Sequence, residues 1–206
     1  MSDITLTPPT FTLVKFDADE VRALIEQTLR EVGFPTDVDV AIEVDEVLPH
    51  PLTASSVDVS DGTANLWFTG GCFESPQRQT GLSVENTRVE LGSALLRAKD
   101  RIDGGFADAP PDDELDDRQR TLWEAYAEGR LVALGFPVRV QRRRYTFRLY
   151  GGFNDVADAA FERLWSGAPI DWAGLSTLAS ELAVADTRPE RKKSLRKESL
   201  RAIAAS

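Results

Sequence analysis

The sequence is poor in the side chains that most often carry catalysis near neutral pH. Among 206 residues there is one histidine, His50, and one cysteine, Cys72. A zinc site takes three or four His, Cys or carboxylate ligands, and a Ser or Cys nucleophile needs a base within hydrogen-bond reach. These absences exclude most metal-hydrolase and histidine-dependent mechanisms. A single cysteine also forms no intrachain disulfide, which is typical of cytoplasmic proteins.

Long apolar runs and an N-terminal secretory signal are lacking too. No apolar stretch approaches the ~18 residues that cross a bilayer. The chain starts with Met1-Ser2-Asp3-Ile4, without a basic segment followed by an apolar one. Its composition, 42% hydrophobic and 28% charged, is that of an ordinary globular protein. We therefore expect a cytoplasmic protein with no integral membrane association.

Positive charge is scarce in the first two-thirds of the chain. The net charge is −10, but residues 1–137 carry 26 acids against 11 bases, whereas residues 138–206 carry 8 acids against 13 bases. An acidic body repels nucleic acid and anionic lipid at long range. Any contact with a polyanion is therefore expected only from the last third.

The hydrophobic pattern predicts an α+β fold. Val40, Ile42 and Val44 alternate with acidic residues, which is typical of a strand with one solvated face, and Asp61-Gly62 favours a hairpin turn. The predicted strands are 10–16, 38–47, 56–60, 63–69, 138–141 and 145–150. Amphipathic helices are predicted at 17–32, 83–102, 113–134, 155–165 and 171–185. We expect residues 1–186 to form a single domain, with a mixed or antiparallel sheet packed by helices on one side.

A short sequence pattern occurs twice along this order of elements. Gly-Phe-Pro follows a predicted helix at 33–35 and again at 135–137, and a Gly-Gly loop lies downstream of each copy. The order helix, strand, strand, Gly-Gly loop, helix suggests a duplicated αββα unit over residues 17–103 and 112–167. The alternative is coincidence, because helices commonly stop at Gly followed by Pro.

His50 and Cys72 both favour plain structural interpretations. His50 lies between two prolines and is interpreted as an exposed turn residue, and Cys72 is interpreted as a buried packing residue because nothing local would activate it. Carboxylates are the abundant chemical groups, and the residues considered for a glycosidase pair or a magnesium site are Asp45, Glu46, Glu85 and Glu90. An enzyme that uses carboxylate and arginine chemistry near the loop 70–76, from Gly70 to Pro76, is the alternative function.

Residues 139–150 form the most distinctive segment, because arginines are interleaved with aromatic residues. On a strand, the arginines of such a segment bind anions, while its aromatic rings stack on bases. The candidate residues for binding a partner or an anion are Arg139, Arg142, Arg144, Arg148, Tyr145 and Tyr150. The same residues would alternatively form internal ion pairs and pack into the core. Single-stranded nucleic acid ranks third as a function, because a chain with a net charge of −10 lacks a basic footprint.

A basic C-terminal tail, residues 187–206, offers a second contact region. The function we expect is a non-catalytic protein-interaction or regulatory domain. It would contact another protein, or a second copy of itself as a homo-oligomer, through the Arg-aromatic segment or the tail. We predict no cofactor and no metal ligands.

Overall fold

The computed structural model describes residues 3–75 and 77–186. Within them the chain packs as two compact units, residues 3–99 and residues 100–186. Helices together with a mixed sheet confirm the α+β fold class. The assignment of residues 1–186 to a single domain stays a prediction.

A four-stranded mixed sheet lies at the centre of the first unit. Its strands, in the spatial order β1-β2-β4-β3, are β1 Ile4–Thr7, β2 Asp39–Asp45, β3 Ser55–Ser60 and β4 Thr63–Thr69. Strand β2 is parallel to β1 and β4, and β3 is antiparallel to β4. The predicted Asp61-Gly62 turn joins β3 to β4, with φ angles of 50° and 76°. The strands predicted over 38–47, 56–60 and 63–69 are therefore confirmed.

Two helices complete the core of the first unit. Helix α1, Ala18–Glu31, starts at the predicted cap Asp17, whose carboxylate accepts from two first-turn amides. Helix α2, Val84–Ile102, begins in the first unit and ends in the second. Arg88 of α2 donates to Glu31 of α1 at 2.6 Å. Partial burial alone would raise the pKa of Glu31, but hydrogen bonds from Arg88 and Gln27 outweigh it and lower that pKa.

The strand predicted over residues 10–16 is wrong. This segment consists of bends with an isolated bridge at Lys15, and the edge strand β1 lies upstream of it. A strand here would donate its backbone N–H groups to a neighbouring strand. The backbone N–H groups of Thr12 and Leu13 instead donate to the side chain of Glu46, at Oε2, both at 2.7 Å. The β-branched content of 10–16 predicts extended backbone, but no neighbouring strand is placed to pair with it along its length.

The chain between β4 and α2, which includes the predicted loop 70–76, contains short regular elements. Gly70–Cys72 forms a 3-10 turn, and β5, Glu74–Ser75, pairs antiparallel with β6, Arg78–Leu82. Gly71 is needed in this turn because a Cβ there would lie 2.3 Å from the carbonyl oxygen of Leu52.

Among its described residues, the second unit contains helices and no strands. Its helices are α3 Asp117–Ala133, α4 Val140–Gly151, α5 Asp155–Trp165 and α6 Trp172–Ala185. The helices predicted at 155–165 and 171–185 are confirmed. Helix α3 begins four residues later than expected, because Asp116 and Gln119 form a reciprocal capping box. The core of the second unit is rich in aromatic side chains, including Phe106, Trp123, Phe147 and Phe161.

The two strands predicted at 138–141 and 145–150 are wrong, because residues 140–151 form helix α4. Phe147 and Gly151, spaced by four, are both buried on one face of this helix. The duplicated αββα unit is also not present, because the described residues 112–167 contain helices and no strands.

No helix within residues 3–75 and 77–186 combines the length and apolar character needed to cross a membrane.

Candidate protein-interaction surface

Helix α4 is held in the second unit by a buried aromatic face. Phe147 is fully buried and meets Phe161 of α5 edge to face, with ring centroids 5.3 Å apart. A Cβ on Gly151 would lie 3.2 Å from Phe147 and 3.4 Å from Leu182 of α6. These contacts fix which side of α4 faces inward, and so determine where each arginine of the helix points.

Three arginines of α4 are used inside the unit. Arg143 donates to Glu124 at 2.6 Å and also binds Glu128, both on α3. Arg144 pairs with Glu162 of α5, and its guanidinium lies 4.7 Å from the centre of the Phe161 ring. Because these arginines satisfy carboxylates of neighbouring helices, they orient α4 and are not available as simple anion-binding groups.

The third internal arginine is Arg148, which forms a two-pronged pair with Asp158. The two hydrogen bonds measure 2.7 and 2.6 Å. They lower the pKa of the Asp158 carboxyl below its usual value, and the positive charge of Arg148 adds to the effect. The same hydrogen bonds raise the pKa of Arg148. Such fork-to-fork geometry is the strongest form of arginine–carboxylate contact.

Tyr150 also makes a contact within the second unit. Its ring is half-buried, and its backbone carbonyl accepts from Arg118 Nε of α3 at 3.0 Å. Of the six residues predicted to bind a partner, Arg144, Arg148 and Tyr150 are thus occupied within the second unit. The two alternatives raised by the sequence, internal pairing and external binding, therefore apply to different residues of the same segment.

The remaining three predicted residues, Arg139, Arg142 and Tyr145, are exposed. The side chains of Arg139 and Arg142 have no ion-pair or hydrogen-bond partner among the described residues. Tyr145 is 58% exposed and its ring lies 6.1 Å from that of Phe153, which is 54% exposed. Val156, in the first turn of α5, is exposed as well. We call these five residues the arginine-aromatic surface.

Phe153 and Val156 were not found by sequence reasoning. The signal for Phe153 lies in the preceding residue: Gly152 has φ 118° and ends α4, so Phe153 falls outside both helices. An aromatic residue between a glycine stop and the N-cap Asn154 has no helical face to bury it. Val156 has no such signal, because an apolar residue in the first turn of a helix is usually taken as part of its inner face.

The N-terminal end of α4 is electropositive. Its N-cap is Arg139, which makes no side-chain hydrogen bond to the first-turn amides, and the first turn holds no acidic residue. Helices α3, α5 and α6 instead have the capping side chains Asp116, Asn154 and Asp171. The helix dipole of α4 therefore adds to the charge of the two arginines.

His50 and Cys72 both lie in the first unit. The His50 side chain is exposed, and its backbone N–H donates to buried Glu74 at 3.0 Å. Cys72 is buried and donates from Sγ to the carbonyl oxygen of Ala54 at 3.3 Å. Burial raises the pKa of the Cys72 thiol far above its usual range, and the charge of Glu90 raises it further. A thiol in this state is a poor nucleophile.

The carboxylates considered for an enzyme site do not assemble into a metal centre. Within residues 3–75 and 77–186, no group of three or more His, Cys, Asp or Glu side chains is arranged to hold a metal ion. Asp45 and Glu46 accept from backbone amides of neighbouring loops. Glu74, from the loop 70–76, is buried, while Pro76 lies outside the described residues. The basic tail, residues 187–206, also lies outside them.

Comparison with known proteins adds no relative: no family model, no curated protein and no solved structure matches this chain.

Proposed function

We propose that the second unit is a protein-interaction module that binds its partner through the arginine-aromatic surface. The observation that carries the proposal is the pairing of two exposed aromatic rings, Tyr145 and Phe153, beside two arginines without internal partners. Tyrosine and arginine are enriched among the residues that dominate binding energy at protein interfaces. Two large apolar rings exposed next to each other also gain free energy when a partner removes them from water.

A rigid scaffold supports this surface. Arg143, Arg144 and Arg148 fix α4 to α3 and α5, so the outer face of α4 is held in one orientation before binding. Preorganisation of this kind reduces the entropy that is lost on association.

A protein partner is favoured over nucleic acid by the charges of the unit. Residues 100–186 contain 16 acidic residues and 10 arginines, and no lysine. A polyphosphate chain would meet two unpaired arginines at this surface and net negative charge around them, so the electrostatic gain that drives nucleic-acid binding is small.

The proposal is tested by selecting a displayed library of random peptides on the full-length protein. We expect enriched peptides to lose affinity at least about tenfold when Tyr145→Ala and Phe153→Ala are combined, since these rings would supply the apolar contact. The control variant combines Leu13→Ala and Val47→Ala, which truncates two exposed apolar side chains of the first unit.

Circular dichroism of both double variants checks that each retains its helical content. If no peptide is enriched, or if enriched peptides bind the two double variants equally well, the arginine-aromatic surface is not the binding site and the proposal is overturned.

A further inference from the structure

We infer that the segment bound at the arginine-aromatic surface is acidic and carries an aromatic or large apolar anchor close to its carboxylates. This inference rests on the proposed function and names the chemistry of the partner. Its basis is the distribution of charge along and around α4.

The chain contains no acidic residue between Glu128 and Asp155, whereas six arginines lie in that interval. Every arginine of α4 that points toward α3 or α5 meets a carboxylate supplied by that helix. The outer face has the same kind of cation, in Arg139 and Arg142, but no carboxylate from the described residues. A partner that supplies carboxylates there completes the arrangement already used on the inner face.

The end of the helix adds to this preference. The dipole of α4 favours negative charge at Arg139, because no acidic cap compensates it. Two guanidinium groups and a helix N-terminus thus lie at one end of the surface, and the Tyr145–Phe153 ring pair lies at the other.

Helix geometry sets the spacing of the partner's groups. Arg142 precedes Tyr145 by three residues, or ~4.5 Å along the axis, and Arg139 precedes it by ~9 Å. An extended peptide advances ~3.3 Å per residue. Carboxylates within about one to three residues of the anchor side chain would therefore be able to reach the arginines while the anchor contacts Tyr145 and Phe153.

The probe is a fluorescein-labelled ten-residue peptide with two adjacent glutamates placed two and three residues before a tryptophan. Its binding to the full-length protein is measured by fluorescence anisotropy at low and at physiological salt. We expect binding that weakens as salt rises, because the contacts are partly exposed ion pairs. A peptide with glutamine in place of both glutamates should bind about threefold to thirtyfold more weakly, as two such pairs contribute modest free energies.

The matched protein variants remove equal charge at two places. Arg139→Gln with Arg142→Gln should reproduce the loss seen with the glutamine peptide and should make the two peptides bind alike. Arg22→Gln with Arg30→Gln removes two exposed arginines from α1 in the first unit and should leave the preference for the glutamate peptide intact.

The comparison of the two peptides separates the inference from the proposed function. Equal binding of the two peptides to the unmodified protein overturns the acidic preference, while the peptide selection above still decides whether the surface binds proteins. Tighter binding of a twelve-nucleotide oligothymidylate than of the glutamate peptide, lost in the Arg139/Arg142 variant, would assign the surface to nucleic acid and overturn both.

Discussion

Arg130 donates two hydrogen bonds, each 2.7 Å long, to the two carboxylate oxygens of Asp100. The Nε1 atom of fully buried Trp123 donates to the same carboxylate at 2.7 Å. One buried carboxylate therefore accepts hydrogen bonds from both the Arg130 guanidinium and the Trp123 indole N–H. Because all three residues belong to the second unit, this cluster ties the last turn of α2 to the middle of α3.

Replacement of Asp100 by alanine should strongly destabilise the protein. It would leave Arg130 without a counter-ion and the Trp123 N–H without an acceptor, and breaking a buried pair costs about 3–5 kcal/mol. Urea unfolding followed by tryptophan fluorescence measures the change. Asp103→Ala, at an exposed position, is the control and should lie within about 0.5 kcal/mol of the unmodified protein. A similar small effect at Asp100 would show that the cluster is not a determinant of stability.

The Arg148–Asp158 pair should make stability depend on pH in the acidic range. Because the pKa of Asp158 is lowered in the folded protein, the unfolded chain takes up this proton first as pH falls. The contribution of the pair is therefore fully present above the usual aspartate pKa of about 3.9, and it is lost as pH drops through the lowered value. Thermal unfolding between pH 6 and 2.5 should show a shallower acid decline for Asp158→Asn than for the control Asp108→Asn. Parallel curves for the two variants would contradict this expectation.

Gly129 should not tolerate alanine, although alanine has the higher helix propensity. A Cβ at Gly129 would lie 2.4 Å from the carbonyl oxygen of Trp165, so α3 or the end of α5 would have to move. We expect Gly129→Ala to lower the free energy of unfolding by about 1–3 kcal/mol, as overpacking does. Gly105→Ala is the matched control, because nothing lies within 4 Å of its Cβ position, and it should be neutral or slightly stabilising. Equal effects of the two substitutions in urea unfolding would mean that the helices are not in this close contact.

The Cys72 thiol should be unreactive in the native protein. It is buried and its pKa is raised, so little thiolate forms and little of it meets solvent. Ellman's reagent at pH 8 should modify Cys72 more than about a hundredfold faster in urea than in native buffer, because reaction requires local opening. Since the chain has a single cysteine, the absorbance reports this residue alone. Rapid modification of the native protein would show that the Cys72 thiol is accessible, and it would contradict the interpretation of Cys72 as a buried packing residue.

Local patterns were sufficient for part of the fold. The strict alternation of Val40, Ile42 and Val44 predicted β2, because this signal acts within one strand. The helices predicted to start at 17 and 171 have Asp17 and Asp171 as their N-caps. Residues 140–151 show the limit of such reasoning. Their Tyr, Thr and Phe content favours a strand, but contacts of Arg143 with α3 and burial of Phe147 against α5 stabilise a helix, and those contacts join distant parts of the sequence.

The candidate site depended on this same assignment. Sequence reasoning placed Arg142, Arg144 and Arg148 in one binding set because arginines are interleaved with aromatic residues in this segment. On the helix that forms, Arg142 and Tyr145 lie on the outer face while Arg144 and Arg148 reach carboxylates of α5. The division of these residues into internal and external groups needed the helical periodicity that only the folded chain shows.

The parallel pairing of β1 with β2 has a consequence for the order of folding. Ile4 aligns with Val40, so the sheet of the first unit has to close a long segment of chain before this ladder can form. The second unit is built from helices joined by short connections, whose contacts are closer in sequence. Closing long loops slows folding. The second unit should therefore reach its native contacts first, and the four-stranded sheet of the first unit should form later.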